Sequence, residues 1–141
     1  MDYSELAEAF IEQMHLLRRF KPQKIINDSL HGEVFMLHNI AASEDCMIPS
    51  ELSNAMGISG ARIAATLNGL ESKGYVTRQI DPSDRRRILV ALTDKGKEKN
   101  EAYRMELIYM TAKMLSLLGE HDAKEYVRIT KKLGELAGSD C

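Results

Sequence analysis

One stretch of the chain, residues 49–97, constrains the fold more than any other. It opens with a helical pattern that places Pro49 in the first turn, where a missing N–H removes no helical hydrogen bond. Gly57 then supplies a tight turn, and Ser59 is a favourable N-cap for a second helix over residues 60–73. Two short helices joined in this way predict a helix-turn-helix, a motif that lays its second helix in the major groove of DNA.

A hairpin pattern follows the second helix. Residues 76–80 and 87–92 alternate between apolar and polar side chains, as expected of two strands with one buried face. Residues 81–86 (DPSDRR) lie between them and have the composition of a charged turn. The short apolar segment 46–48 is a candidate third strand that closes the hairpin. This order predicts a mainly α-helical protein with a small β-hairpin wing, the winged helix-turn-helix fold.

The second helix has one apolar side and one side of small and polar residues. At about 100° per residue, Ile63, Leu67 and Leu70 share the apolar side. On the other side, Arg62 can pair with guanine and Asn68 with adenine, alanines can contact thymine methyl groups, and hydroxyl groups suit phosphates or caps. The candidate DNA-contacting residues of this helix are Ser59, Ala61, Arg62, Ala65, Thr66 and Asn68. An ordinary solvated helix face is the alternative for Asn68.

The hairpin tip carries a second set of candidates, Arg85, Arg86 and Arg87. A narrow minor groove concentrates negative potential and attracts an inserted arginine. Asp84 lies two residues before Arg86, close enough to form an ion pair that holds the arginine side chain. A run of like charges is usually a solvated surface. The position of this run, after a candidate recognition helix and between two strands, favours DNA contact instead.

Charge is distributed unevenly along the chain, whose formal net charge is −2. Residues 59–97 contain eight Lys or Arg and four Asp or Glu, whereas residues 1–58 contain four and nine. The positive charge therefore lies in the segment that is predicted to meet phosphates. The acidic flank argues against a nonspecific polycation.

Further helical patterns flank this stretch at residues 4–19, 29–43, 94–118 and 122–137. The outer helices carry more apolar surface than a reader lobe of about 50 residues can cover, so two copies are expected to cross and bury it. A dimer would also place two recognition helices about one DNA turn apart. We divide the chain into an N-terminal dimerisation helix and linker (1–28), a DNA-binding lobe (29–97) and C-terminal dimerisation helices (98–141).

The stretch resembles the MarR family of multiple-antibiotic-resistance-type regulators. The matching segments are Ser50-Glu51-Leu52, Gly57-Ile58-Ser59, LESKGYV at 70–76, DPSDRR at 81–86 and LTDKG at 92–96. The spacing from D-x-x-D-R-R to L-T-x-x-G is the specific part, and the flanking helices match in layout only. The resemblance implies an obligate homodimer with interlocked N- and C-terminal helices, which presents two winged helix-turn-helices to a palindromic site. It also implies that Asp84 stabilises the wing and that Arg86 enters the minor groove.

The chain departs from the family pattern in the two readers. Ala64 and Ala65 stand where hydroxyl or basic residues are common, so the family's operator sequences do not transfer. Arg87 stands where a small residue is common and could contact an extra phosphate.

The resemblance also implies a ligand pocket. Family members often bind small aromatic or amphipathic molecules between the dimer helices and the DNA lobe. The residues that could line such a pocket here are Met14, His15, Phe20, His31, Phe35, Met36, His38 and Tyr103. Methionine side chains adapt to varied ligands, but a plain hydrophobic core is the alternative for this set.

Other site chemistries have little support. No GxSxG, HExxH or phosphate-binding glycine loop is present. His31 and His38 could share a helix face, but four scattered histidines predict no metal site, and no cofactor is expected. Cys46 lies in an apolar segment and is expected to be a small buried hydrophobe, and Cys141 to be frayed.

Two observations bear on location. No apolar run reaches the roughly 18–20 residues that cross a bilayer. The acidic N-terminal segment differs from a secretory signal. We therefore expect a cytoplasmic protein with no membrane partner.

Three functions of different classes follow from these patterns. The first is a dimeric, sequence-specific regulator of transcription, expected to be a repressor that a small-molecule effector releases. The second is a winged-helix protein-interaction module without specific DNA binding, which the alanine-rich face of the second helix motivates. The third, an enzyme, lacks any catalytic set.

Overall fold

Seven helices and three strands make up the part of the chain that the structure describes. The structure is a computed structural model, and it describes residues 1–139. In chain order the elements are α1 Ser4–Leu17, α2 Lys21–Asp28, α3 Gly32–Ala42, β1 Cys46–Met47, α4 Pro49–Met56, α5 Gly60–Ser72, β2 Val76–Asp81, β3 Asp84–Leu92, α6 Asp94–Ser116 and α7 Glu120–Ser139. The predicted mainly α-helical winged helix-turn-helix is confirmed. Cys141 lies outside the described residues.

The three strands form one antiparallel sheet in the order β1-β3-β2. Val76 pairs with Leu92, and Ile80 with Ile88. The predicted third strand is present, and its Met47 pairs with Val90. The sheet thus closes the base of the wing against the helical lobe, while the β2–β3 hairpin extends away from it.

The hydrophobic core lies between α3, α4, α5 and the base of the sheet. Its fully buried side chains are Met36, Leu37, Ile40, Leu52, Ile63, Leu67, Leu70, Val76 and Val90. The predicted apolar stripe of α5 is therefore confirmed as its core side. Gly57 has φ +66, the left-handed conformation that a glycine adopts without strain, and it sets the turn from α4 to α5. The core fixes the position of α5 and leaves its opposite side outward.

The start of α6 is joined closely to the end of α5 and to the base of the wing. Thr93 is the N-cap of α6: its hydroxyl accepts a hydrogen bond from the Gly96 N–H at 3.0 Å and donates to the Gly74 carbonyl at 2.6 Å. The Thr93 N–H donates to the Tyr75 carbonyl at 3.1 Å. Gly96 is buried against Tyr75, where a side chain would meet the Tyr75 backbone. The L-T-x-x-G motif is thus the joint between the reader lobe and the long helix.

Helix α2 is an element that the sequence analysis does not predict. Residues 21–28, which the predicted domain division counts with the N-terminal helix and linker, are helical. Phe20 has an extended backbone (φ −71°, ψ 115°) and separates α1 from α2. Pro22 is buried in the first turn of α2, where its missing N–H costs no hydrogen bond. The helix expected over 29–43 begins only at Gly32.

The wing differs from the prediction in its turn. β2 runs to Asp81 and β3 begins at Asp84, so that only two residues separate the strands. Arg85 and Arg86, expected in the turn, therefore lie in β3. Cys46 is exposed, and its predicted burial is wrong, because the alternation of β1 directs the neighbouring Met47 to the core instead.

Helices α1 and α7 contain no buried residue within the described chain. Their predicted stripes stay uncovered: Phe10 of α1 is 65% exposed, and Leu133 of α7 is 63% exposed. Among residues 1–139, no helix is long and apolar enough to cross a membrane. The apolar surface of these helices is what a second chain would have to cover.

Candidate nucleic-acid interface

The outward side of α5 forms a small, open surface. Ala61, Ala64 and Ala65 are exposed there, together with Arg62 and Asn68. Because the alanine side chains are short, the backbone of α5 can approach another surface closely. The major groove admits one helix and rewards a close approach to the base edges. The shape of this face therefore fits a groove.

The two hydroxyl candidates on α5 are engaged within the helix. Ser59 caps α5, since its side chain accepts a hydrogen bond from the Arg62 N–H at 3.3 Å. Thr66 is half-buried, and its Oγ1 donates to the Arg62 carbonyl at 2.9 Å. Both hydroxyls support the helix in the free protein. Arg62 remains as the exposed cation near the N-terminal end of α5.

Asn68 is held by a residue of the wing. Its Oδ1 accepts a hydrogen bond from Arg78 Nη2 at 2.7 Å. The same guanidinium donates to both carboxylate oxygens of Glu71, at 3.1 Å from Nε and 3.0 Å from Nη2. These bonds lower the pKa of the Glu71 carboxyl below its usual value. Arg78 thus ties β2 to the recognition helix by one bidentate pair and one amide bond.

Arg78 is the functional candidate that sequence reasoning misses. In β2 it lies at the same parity as the buried Val76, so its side chain points to the core side of the sheet and not to solvent. An arginine at an inward position needs an acceptor, and Glu71 on the preceding helix supplies it. That combination was the available signal.

The wing turn is built around Asp81. Its Oδ1 accepts hydrogen bonds from the Ser83 hydroxyl at 2.7 Å and the Ser83 N–H at 2.9 Å. These bonds, the side-chain one first, lower the pKa of the Asp81 carboxyl. Arg87 Nε lies 4.0 Å from Asp81 Oδ2. Arg87, expected to contact a phosphate, is therefore also a partner of the turn.

The structure brings Asp84 and Arg86 together. Asp84 Oδ1 accepts from the Arg86 N–H at 3.0 Å and lies 3.3 Å from Arg86 Nε. The Arg86 side chain is nevertheless 92% exposed, so its charge is free to meet another molecule. The contact restricts the arginine without burying it.

The wing arginines divide between two faces of β3. Side chains alternate along a strand, so Arg86 lies on the face of Val90, and Arg85 and Arg87 lie on the opposite face. Arg78 pairs directly with Val90 across the sheet and reaches α5. Arg86 therefore shares the face of the wing that is turned toward the recognition helix. By strand parity, Arg86 and the Arg78 contact with α5 lie on one face of the hairpin.

A separate groove lies between α3 and α6. It has a volume of about 360 Å³ and is mostly apolar. The Phe35 and His38 rings are stacked on its wall, with ring centroids 6.3 Å apart. The lining residues are Ser29, Leu30, Val34, Phe35, His38, Asn100, Tyr103, Arg104, Leu107 and Ile108. Polar groups from Asn100 and Arg104 lie beside the apolar wall.

The groove contains only part of the predicted pocket set. Phe35, His38 and Tyr103 line it. Met36 is fully buried in the core instead. The remaining four, Met14, His15, Phe20 and His31, do not line it either, and all but Met14 are exposed. Among residues 1–139, no three His, Cys, Asp or Glu side chains are grouped so as to hold a metal ion.

Comparison with known proteins finds similarity to helix-turn-helix regulators. A model described as "MarR family" matches residues 30–87. The uncharacterised regulator YdgJ of Bacillus subtilis is 31% identical over 84 residues, which cover 60% of this chain and 51% of that protein. The chain thus matches about half the length of that relative. The transcriptional repressor MdtR of the same organism is 26% identical over 129 residues, which cover 89% of this chain and 83% of that protein.

A solved structure supports the same fold over nearly the whole chain. Streptococcus pneumoniae FabT, crystallised in complex with DNA, superposes with a TM-score of 0.73 at 19% sequence identity. The match covers 99% of this chain and 100% of that chain. The chain therefore shares the fold of that protein from α1 to α7.

Proposed function

We propose that the chain is a member of the MarR family, as its D-x-x-D-R-R and L-T-x-x-G segments predict, and that it is a homodimeric, sequence-specific regulator that binds palindromic double-stranded DNA. The observation that carries this proposal is the shared surface of α5 and Arg86. An open helix face and an exposed, ion-paired arginine are presented by neighbouring elements of one lobe. A binding protein needs no catalytic group for this role, and we place it in the cytoplasm with the DNA.

Two elements contact DNA, the helix α5 and the wing. Helix α5 enters the major groove, where Arg62 addresses a guanine and Ala61 and Ala65 contact thymine methyl groups. Arg86 enters the adjacent minor groove, and its bond to Asp84 reduces the rotamer freedom that DNA binding would otherwise remove. Arg85 and Arg87 contact phosphates on the other face of the wing.

Dimerisation follows from the uncovered outer helices. Leu6, Phe10 and Ile11 on α1 are each more than half exposed in the single chain. On α7, Leu133 and Leu136 are too. Burying apolar surface contributes about 25 cal/mol per Å², so leaving these side chains in water is costly. Pairing of the α1 and α7 surfaces of two chains removes that cost and places two copies of α5 on one side of the dimer.

Regulation is assigned to the groove between α3 and α6. Its Phe35, His38 and Tyr103 side chains suit an aromatic or amphipathic small molecule. The groove joins a helix of the reader core to the long helix, so an occupant can alter their relative position. We propose that the protein is a repressor that such a molecule releases. Addition of aromatic and amphipathic compounds to the protein–DNA complex tests this: release by one or more is expected, and no release by any would reject an effector in this groove.

DNA binding is tested by selecting bound fragments from the source genome and measuring affinity over a range of salt concentrations. Arg86→Ala should weaken binding to every selected fragment by a similar factor and reduce the salt dependence by about two charges per dimer. Lys131→Ala is the matched control, because it removes one positive charge from an exposed position of α7. It should leave binding unchanged.

The outcome also decides the alternative role, a winged-helix module that binds protein. Equally weak affinity for all genomic fragments, with no effect of Arg86→Ala, would reject the regulator and favour the interaction module. A few tightly bound fragments with a shared palindrome would reject the module.

A further inference from the structure

We infer that Ile80 and Ile88 form an apolar contact between the wing and the deoxyribose groups that border the minor groove of bound DNA. The inference rests on the proposed function, because it concerns the same duplex that Arg86 is proposed to enter. It adds to the wing a contact whose strength does not depend on charge.

The two isoleucines are cross-strand neighbours in the outer part of the hairpin. Ile80 of β2 pairs directly with Ile88 of β3, so their side chains lie side by side on one face. Ile80 is 65% exposed and Ile88 is 46% exposed. Within residues 31–104 of the described chain, these two are the only exposed large hydrophobic side chains. That part of the chain therefore covers its apolar surface except at this pair.

The pair continues the core face of the sheet beyond the core itself. Side chains alternate along β2, so Val76, Arg78 and Ile80 share one face. Val76 is buried, and Arg78 reaches across to α5. Ile80 follows where the strand has passed α5, and exposed positions of this kind are usually polar. An apolar pair at this place leaves surface for another molecule to cover.

The charge around the pair identifies duplex DNA as the molecule that covers it. Arg85, Arg86 and Arg87 directly precede Ile88 in β3, and the side chain of Arg86 is 92% exposed. A second copy of the wing would bring its own three arginines against these, and such like-charge contacts are unfavourable. A DNA strand offers phosphates to the arginines and the carbon atoms of its sugars to the isoleucines.

The dimensions of the minor groove agree with this assignment. The groove is about 6 Å wide and is bordered on each side by a sugar–phosphate strand. Arg86 and Ile88 are two residues apart, so their Cα atoms are separated by at most about 7 Å. An arginine that enters the groove therefore brings Ile88 and its neighbour Ile80 against the strand at the edge of the groove.

The alternative is a cross-strand pair that only stabilises the hairpin. The two roles differ in their dependence on salt. An apolar contact releases no counterions, so its loss weakens binding by the same factor at every salt concentration. A disordered hairpin would also lose the Arg86 contact, and the salt dependence of binding would fall.

The test is fluorescence anisotropy over a series of KCl concentrations, with a duplex that the wild-type protein selects. Ile80→Thr/Ile88→Thr retains the β-branched shape that suits a strand and removes most of the apolar surface. It should bind about tenfold more weakly at every salt concentration, with the salt dependence of wild type. Ile80→Val/Ile88→Val retains most of that surface and should bind more tightly than the threonine pair. Gln79→Thr is the matched control, because Gln79 is exposed on the opposite face of β2, and it should bind as wild type does.

Three outcomes would overturn the inference and leave the regulator intact. One is a threonine pair that binds as tightly as wild type. Another is a weakening accompanied by the same fall in salt dependence as Arg86→Ala, which would show that the pair only holds the wing. The third is a change of the free protein from dimer to monomer in light scattering, which would show that a second copy covers the pair.

Two further measurements complete the test. If thermal unfolding shows that the threonine pair is unstable, Ile80→Thr alone replaces it, since Ile80 is the more exposed of the two, and a smaller loss with unchanged salt dependence is expected. If the wild-type protein selects no sequence at all, the proposed function and the inference fail together.

Discussion

Substitution of Gly96 by alanine should test the joint between reader and long helix. A Cβ at this position would lie 2.9 Å from the carbonyl carbon and 3.2 Å from the Cα of Tyr75, and closer still to the carbonyl oxygen. These are backbone atoms, which cannot rotate away as a flexible side chain can. The Tyr75 carbonyl also accepts the Thr93 N–H at 3.1 Å, so displacing it disturbs the N-cap of α6.

The expected loss of stability combines three effects. Forcing a methyl group into a filled site costs typically about 1–3 kcal/mol. Weakening the hydrogen bond to Tyr75 adds about 0.5–1.5 kcal/mol. Replacing glycine by alanine in a helix returns roughly 0.5–1 kcal/mol through lower backbone entropy in the unfolded chain. The net result for Gly96→Ala is a destabilisation of about 0.5–4 kcal/mol, with a central value of about 2 kcal/mol.

The assay is urea unfolding at one fixed protein concentration, because a dimer's apparent stability depends on concentration. Gly134→Ala is the control: it lies within α7, has no atom within 4 Å of its added Cβ, and should gain about 0.5–1 kcal/mol. A Gly96→Ala midpoint at or above that of wild type, with the control raised, would refute the close packing of α6 on Tyr75.

Two further predictions concern the wing and the dimer. The pKa of Asp81 is lowered in the folded protein, so its hydrogen bonds stabilise the fold above the usual aspartate pKa and this stabilisation is lost as the pH falls through the folded-state pKa. The unfolding free energies of wild type and Asp81→Asn should therefore converge in acid. A constant difference between them from neutral pH down to about pH 3 would contradict this. Leu133→Glu should convert the protein to monomers, measured by light scattering at micromolar concentration, because it buries a charge in the proposed α7 contact. Lys131→Glu, two positions away, is the control and should stay dimeric. If both variants stay dimeric, α7 is not part of the interface.

Local patterns in the sequence predicted most of the fold. The stripe of Ile63, Leu67 and Leu70 places α5, and the cap at Thr93 places the start of α6, since each signal lies within one or two turns of chain. Helix α2 was not predicted, because Pro22 is equally compatible with the end of one helix and the first turn of the next. The burial of Cys46 was predicted wrongly, because apolar neighbours do not indicate which residue of a two-residue strand faces the core.

The candidate site, like the fold, could be predicted where the residues in contact are close together in the sequence. Asp84 and Arg86 are two residues apart on one strand, so their contact could be read from spacing. Arg78 and Asn68 are ten residues apart in different elements and meet only when β2 packs beside α5. The groove shows the same limit, because Phe35, His38 and Tyr103 come together only when α3 packs beside α6. His15 and His31 have the same side chain as His38 but do not line the groove. Contacts between elements depend on packing geometry, which periodicity does not contain.

Helix and wing can read DNA together only if their separation is constant, and two clamps maintain it. At the C-terminal end of α5, the Thr93 hydroxyl holds the Gly74 carbonyl, which ties α5 to the start of α6. In β2, the Arg78 guanidinium donates hydrogen bonds to Glu71 and Asn68 of α5. The first clamp uses Thr93, the N-cap of α6, which follows directly on Leu92 of β3, and the second uses a residue of β2. A displacement of the start of α6 would therefore be transmitted both to α5, through Gly74, and to the base of the wing, through β3. An occupant of the groove beside α6 that displaced this helix would act on both parts of the candidate interface together.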